Sequence, residues 1–218
     1  DGTHKYSTIA PLVDPYLNHY NSLSRQAIIN GNFDVWQRGT SIASSAAIPY
    51  GPDRFCFLNG GVTTGATVSR QTASLNGSLY SCRVQRDSGQ SYTNGNFMDQ
   101  CLESNDSMKF RGQKLTLSFW AKCGANYSAT NSLLKSSIYS GTGTDQKVTS
   151  YFTNKGTLIQ TEDTLTTSWQ KFTKTTTNVL ADTVNQIGIR FETTTTGTAG
   201  ANDWFEIAQV QLCAGDVA

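Results

Sequence analysis

The sequence predicts an all-β protein: a jelly-roll β-sandwich over residues 27–218, behind a short helical connector in residues 1–26. Three observations predict it. After Gln26, apolar residues recur with a period of 2, the alternation that turns one side of a strand to a core and the other to solvent. The alternating runs are short and separated by Gly, Asn and Ser turns, the spacing of sandwiches and barrels. Only 15% of the 218 residues are charged while Thr, Ser, Gly and Asn abound, which suits a β module rather than a helical or disordered chain.

Taken in order, Asp14-Pro15 reads as an N-cap followed by proline at the first helical position. Tyr16, Leu17, Tyr20 and Leu23 then share one face of a helix too short to stand alone. It needs a surface: the sandwich, a neighbouring subunit or an upstream shaft. Ala27 to Ile29 reads as a strand that locks the first edge of the sandwich and breaks at Asn30-Gly31, a pair that tolerates positive φ. Trp36 and Arg38 project from the irregular crossing that follows. Gly39 and a loop bounded by Pro49 and Pro52 then lead through Asp53-Arg54 into the next strand, marked by Phe55, Phe57 and Val62. Val68, Leu79 to Val84, and Phe97 to Leu102 mark three more. The clearest strand is Leu115 to Ala121, with Leu115, Leu117, Phe119 and Ala121 on one face. Leu133 to Tyr139 and Val148 to Phe152 come next, then an Asn154-Lys155-Gly156 hairpin turn into Thr157 to Gln160. Trp169 to Thr177, Gln186 to Glu192 and Trp204 to Leu212 complete the set. The Thr-rich stretch from Thr161 to Thr198 reads as solvated strand faces, with Thr193 to Gly200 as its mobile loop.

Composition excludes several functions. A net charge of +1 supplies no field for nucleic acid or for a cationic partner. No apolar run approaches the about 18 residues of a membrane helix. The five cysteines (Cys56, Cys82, Cys101, Cys123 and Cys213) are scattered without a CxxC pair, and read as buried free thiols from a reducing cytoplasm. The two histidines, His4 and His19, lie in the connector, which leaves no base for Ser-His-Asp chemistry and no zinc shell. Glycoside cleavage would need paired carboxylates. The candidates are Asp99, Glu103, Glu162, Asp163, Glu192, Asp203 and Glu206. Glu162-Asp163, at a strand end, reads as a turn, and a Glu192–Glu206 pair across neighbouring strands reads better as a structural salt bridge or a cation site. The expectation is a protein without catalytic activity. The chain begins at Asp1 rather than Met, as a fragment of something longer would.

Two blocks carry a resemblance. The run INGNFDVWQRGTS from Ile29 to Ser41, followed by YGPDRF from Tyr50 to Phe55, resembles the carboxy-terminal receptor-binding domains of bacteriophage tail fibres and related virion fibres. In that family the segment reads close to INGNFDVWQRGTSF and then ADRW; here Gly51-Pro52 and Phe55 depart from it. The closing run QVQLCAGDVA, Gln209 to Ala218, is similar to the family's QVQLEPGSVAT, with Cys213 in place of Glu. The blocks bracket residues 27–218, although no motif matches in the middle. The resemblance implies a virion domain, assembled in the bacterial cytoplasm, that attaches to a host surface polysaccharide or lipopolysaccharide. It implies a homotrimer joined to other fibre or tail proteins, with the helix as connector to the shaft. A trimerisation module that touches no host molecule, and a polysaccharide depolymerase, are the alternatives.

Glycan binding needs aromatic faces beside hydrogen-bonding side chains. The loop Ser91 to Asn96 offers Tyr92, Asn94 and Asn96; the loop Gly124 to Ser128 offers Asn126 and Tyr127; Trp36 adds an indole from the opening motif. Tyr50, Tyr139, Tyr151 and Trp204 also lie near loops or strand ends, while Trp120 and Trp169 could face either way. Jelly rolls of the carbohydrate-binding-module kind often hold a structural calcium, for which Asn32, Asp34 and Glu206 are candidate oxygen donors.

Overall fold

The computed structural model describes residues 26–45, 47–60 and 64–215. The predicted connector helix lies outside them. Among the described residues, eleven strands form two antiparallel sheets. One sheet has the order β1 (Ser41–Ala43), β3 (Ala66–Leu75), β4 (Ser78–Arg86), β11 (Trp204–Ala214), β6 (Leu115–Cys123), β9 (Gln170–Thr175). The other has the order β2 (Cys56–Asn59), β5 (Asn96–Cys101), β10 (Gln186–Thr193), β7 (Leu133–Gly141), β8 (Gly156–Thr164). The chain alternates between sheets except at β3–β4 and β7–β8, and its last two strands lie inside the two sheets between earlier ones. This is a jelly-roll sandwich.

Alternation explains the core. Leu115, Leu117, Phe119 and Ala121 of β6 are all fully buried, as are Ile187, Ile189 and Phe191 of β10. Phe119 meets Phe191 edge to face at 4.8 Å across the two sheets. Each of these Leu, Ile and Phe side chains contributes about 1.5–3 kcal/mol by leaving water. None of the five cysteines forms a disulfide among the described residues, and all but Cys101 are buried.

The opening segment departs from expectation. Residues 27–29 form no strand and lock no edge. Ala27 donates to Leu212 O at 2.7 Å, Val210 donates to Gly31 O at 2.9 Å, and Ile29 donates to the Gln100 side chain of β5 at 2.8 Å. The segment therefore lies along the central strand β11, beyond the point where β4 leaves it at Ile207, and reaches the other sheet through Gln100. A bulge in β11 between Ala208 and Gln211, with Gln209 at φ 49°, turns the Val210 amide toward it. Asn30 has the expected positive φ of 61°. Gly31 is required for another reason: a Cβ there would sit 2.0 Å from Val210 O.

Three further expectations are corrected. Val148 to Phe152 is not a strand. Thr149–Tyr151 is a turn of 3-10 helix, which brings Val148 and Phe152, four residues apart, onto one buried side. The β7–β8 connection is thus a long loop rather than a hairpin, and it folds back over the outer face of the five-stranded sheet. Between the predicted strands Phe97 to Leu102 and Leu115 to Ala121, where no element is expected, Ser104–Met108 is a short helix, α1. The loop 193–200 is pinned: Thr195 and Ala199 are buried, and Arg86 donates to Thr196 O and Gly197 O at 3.0 Å each.

Candidate binding cleft

The opening motif is shaped by one side chain. Asn30 Oδ1 accepts from the Val35 amide at 3.0 Å, and Nδ2 donates to Val35 O at 2.9 Å and to Asp53 O at 3.1 Å. The two halves of the motif, some twenty residues apart, are stapled together, and Asp53 N donates back to Val35 O at 3.0 Å. A tight turn follows, with Phe55 N bonded to Pro52 O at 3.0 Å and Arg54 at φ 74°. Phe55 packs on Phe33 at 5.1 Å, which anchors the turn in the core.

The staple sets Gln37 and Arg38 beside Tyr50, Asp53 and Arg54. These five form one wall of a cleft of about 570 Å³. The end of β5 and the approach to α1 (Cys101, Leu102, Glu103) make its floor, and Asp145, Gln146 and Lys147 of the β7–β8 loop make the opposite wall. That loop is fastened at its start: Ser104 N donates to Asp145 Oδ1 at 2.8 Å, and Asp145 N donates to Ser104 Oγ at 3.1 Å.

Charges in the cleft are matched. Arg38 lies 3.4 Å from Asp53 and 5.1 Å from the Tyr50 ring; Arg54 lies 3.1 Å from Glu103. The Asp145 carboxyl is held below its ordinary range by the Ser104 amide and hydroxyl. Burial and the neighbouring Cys56 push the Tyr50 hydroxyl up, and burial pushes the Cys56 thiol up to about 11. Asp53 Oδ2 is buried without a hydrogen-bond partner among the described residues. The lining therefore presents one aromatic ring, guanidinium and amide donors, and compensated carboxylates. Such a set can hold a hydroxyl-rich neutral molecule by hydrogen bonds and one ring contact.

The predicted site residues do not line this cleft, although Trp36 belongs to the opening motif. Trp36 does not project; its indole is buried and donates to Phe33 O at 2.7 Å. The Tyr92 hydroxyl donates to Gly65 O at 3.1 Å, Asn96 is buried, and Asn94 is exposed. Tyr127 donates to Leu133 O at 2.9 Å, and Asn126 Oδ1 accepts from Asn202 N at 3.1 Å. The structure does bring the Tyr92 and Tyr127 loops to one end of the sandwich, where Arg86 bonds both Tyr92 O and Ser128 Oγ. The cleft is at the other end. The sequence offers Tyr50 as one aromatic among several and Arg38 as a projecting side chain, but nothing local marks the two as neighbours, although Gln37, Arg38, Asp53 and Arg54 all belong to the opening motif.

The three candidate metal donors are not assembled. Asn32 and Asp34 border a hollow beside Val210 and Gln211. Glu206, 1% exposed, already faces Arg83 at 2.6 Å, Lys122 at 3.3 Å and the Ser81 hydroxyl. Among the described residues no group of three His, Cys, Asp or Glu is placed to hold a metal ion. Glu192 and Glu206 do not pair: they occupy different sheets, and Glu192 lies 3.7 Å from Lys135. Glu162 and Asp163 lie within β8 rather than in a turn, and Asp163 is 2.6 Å from Lys174. Asp99 is paired with Arg190 and Asp203 with Arg86.

The sequence matches no protein-family model and no curated protein. Solved structures share the architecture. The enzymatically active domain of bacteriophage CBA120 tailspike protein 4 superposes with a TM-score of 0.51 at 12% identity, over 87% of this chain and 21% of that one. A CBM4 (carbohydrate-binding module) structure superposes with a TM-score of 0.51 at 20% identity, over 86% of this chain and 99% of that one. The chain thus spans about a fifth of the tailspike chain and nearly all of the CBM4 module. At these identities the shared property is the fold.

Proposed function

We propose that this chain is a non-catalytic glycan-binding domain of a virion fibre, which attaches to a host surface polysaccharide or lipopolysaccharide through the Tyr50 cleft. The observation that carries the reading is the cleft's lining: one tyrosine ring set among Gln37, Arg38, Asp53, Arg54, Gln146 and Lys147, the composition that sugar hydroxyls and ring faces require. Asp53 and Glu103 are each committed to an arginine and Asp145 to Ser104, which favours binding over cleavage. The virion assignment rests on the resemblance of the Ile29–Phe55 and Gln209–Ala218 blocks to tail-fibre receptor-binding domains. The tailspike and carbohydrate-binding folds found among similar structures accord with it. A single cleft of this kind binds weakly, and presentation as a trimer on a fibre would raise avidity without new contacts.

The test is binding of the labelled domain to a panel of bacteria, with soluble capsule and lipopolysaccharide polysaccharides as competitors and release of reducing ends followed in parallel. Saturable binding that polysaccharide displaces, without release, is the expected result. Release of reducing ends would make the domain a depolymerase. Absence of binding across the panel would leave it an assembly module of the fibre.

A further inference from the structure

The outer face of the five-stranded sheet is divided rather than open. From Cys101 and Gln186 at one end to Phe97 and Glu192 at the other, the outward side chains of β5 and β10 would floor a continuous groove. The β7–β8 loop lies across it. Asp99, in register with Arg190, receives two bonds from that guanidinium at 2.7 and 2.8 Å. Its Oδ2 also accepts from the Thr149 amide at 2.9 Å and the Thr149 hydroxyl at 3.0 Å, while Arg190 donates to Ser150 Oγ at 2.8 Å. The contact is close enough to require glycine beneath it. A Cβ on Gly188 would sit 2.6 Å from Thr149 Cγ2 and 3.1 Å from Phe152 Cζ, and one on Gly141 would sit 3.0 Å from Phe152 Cβ.

Among the described residues, a hollow lies on either side of this barrier. One is the Tyr50 cleft. The other, of about 260 Å³, is bordered by Ala129, Lys135, Glu162, Glu192 and Thr194. No residue borders both. Aromatic rings between them are covered by cations: Lys155 Nζ is 3.7 Å from the Tyr139 ring centre, and the Arg190 guanidinium is 4.7 Å from that of Phe97. A long saccharide could not stack its way from one hollow to the next.

We infer that the domain recognises glycan ends, meaning the terminal sugars of a chain or branch, and not the interior of a running polymer. The inference rests on the proposed glycan binding in the Tyr50 cleft and specifies its ligand. A terminal sugar can enter the cleft and stop against Gln146 and Lys147 of the β7–β8 loop, which Thr149 and Asp99 hold down on the sheet, whereas an internal sugar must continue in both directions.

The test uses O-polysaccharide released by mild acid from lipopolysaccharide, and capsule polysaccharide, each split into short-chain and long-chain pools. Terminal sugars are counted chemically in each pool. Domains bound at saturation are then measured by titration calorimetry and analytical ultracentrifugation. The expected result is the same number of domains per terminal sugar in both pools of a polysaccharide that binds. A number per terminal sugar that rises in proportion to chain length would overturn end recognition while leaving glycan binding intact. No binding by any pool would overturn both.

Discussion

Arg86 and Asp203 face each other at 2.8 Å with each side chain 1% exposed. The same guanidinium donates to the carbonyls of Tyr92, Thr196 and Gly197 and to the Ser128 hydroxyl, while Asp203 accepts from the Ser128 amide at 2.9 Å. One buried ion pair thus gathers three loops at one end of the sandwich. Removing one partner strands the other charge in the interior, at a cost of about 3–5 kcal/mol. Arg86→Met is expected to lower unfolding free energy by that amount in urea titrations. A loss below about 1 kcal/mol, the scale of an exposed pair, would sink this account.

Gly31→Ala places a methyl 2.0 Å from Val210 O, against backbone that cannot rotate aside. Overpacking of this kind costs about 1–3 kcal/mol. The variant is expected to show a lower melting temperature and faster amide exchange at Val210. Unchanged exchange there would mean that the Gly31–Val210 bond does not hold the opening segment to β11.

In the cleft, Tyr50→Ala and Arg38→Ala are each expected to weaken glycan binding about tenfold or more, since a truncated central contact costs about 2 kcal/mol. Tyr92→Phe, which alters a hydroxyl already bonded to Gly65 O, is expected to leave affinity unchanged. The reverse pattern in titration calorimetry would move the site to the Tyr92 end.

Burial raises the Cys56 thiol from the ordinary 9.0 to about 11. A folded pKa above the unfolded one means that the folded state keeps its proton while the unfolded state loses it. The stabilising contribution is therefore complete below pH 9.0 and is lost as pH rises toward about 11. Denaturation midpoints should fall across that window, and less steeply in Cys56→Ser. Iodoacetamide at neutral pH should label this thiol only in urea. Rapid labelling of the native protein would show that the thiol is not enclosed.

Glu206 has its carboxylate committed to Arg83, Lys122 and Ser81. Calcium or a chelator is accordingly expected to leave the melting temperature unmoved, because an ion bound only by the native state would raise it. A calcium-dependent rise of several degrees would place a metal site in this protein that the Glu206 ion pairs do not foreshadow.

What could be read directly was the periodic part of the chain. Leu115 to Ala121 alternates over neighbouring residues, so the strand and its buried face follow from the pattern alone, as does the positive φ of Asn30 before Gly31. Val148 to Phe152 misled because apolar residues four apart fit a turn of helix as well as a strand, and only the sheet beneath selects one. Residues 193–200 looked mobile for their composition, yet their order comes from Arg86, more than a hundred positions away.

By itself, then, the sequence determined the all-β class, the jelly-roll length and spacing, the burial of four of the five cysteines and the importance of the Asn30–Phe55 stretch, each of them a property of residues close together in the chain. Only the tertiary structure decided that the stretch lies along β11 rather than at an edge. It alone brought Arg38 and Tyr50 into one cleft with Lys147, and set Glu206 against Arg83 and Lys122. The reason is physical. Alternation says which side of a strand is buried, but the partners across a sheet and around a cleft are chosen by which distant segments bury the most surface and satisfy the most hydrogen bonds together, a condition no local pattern contains.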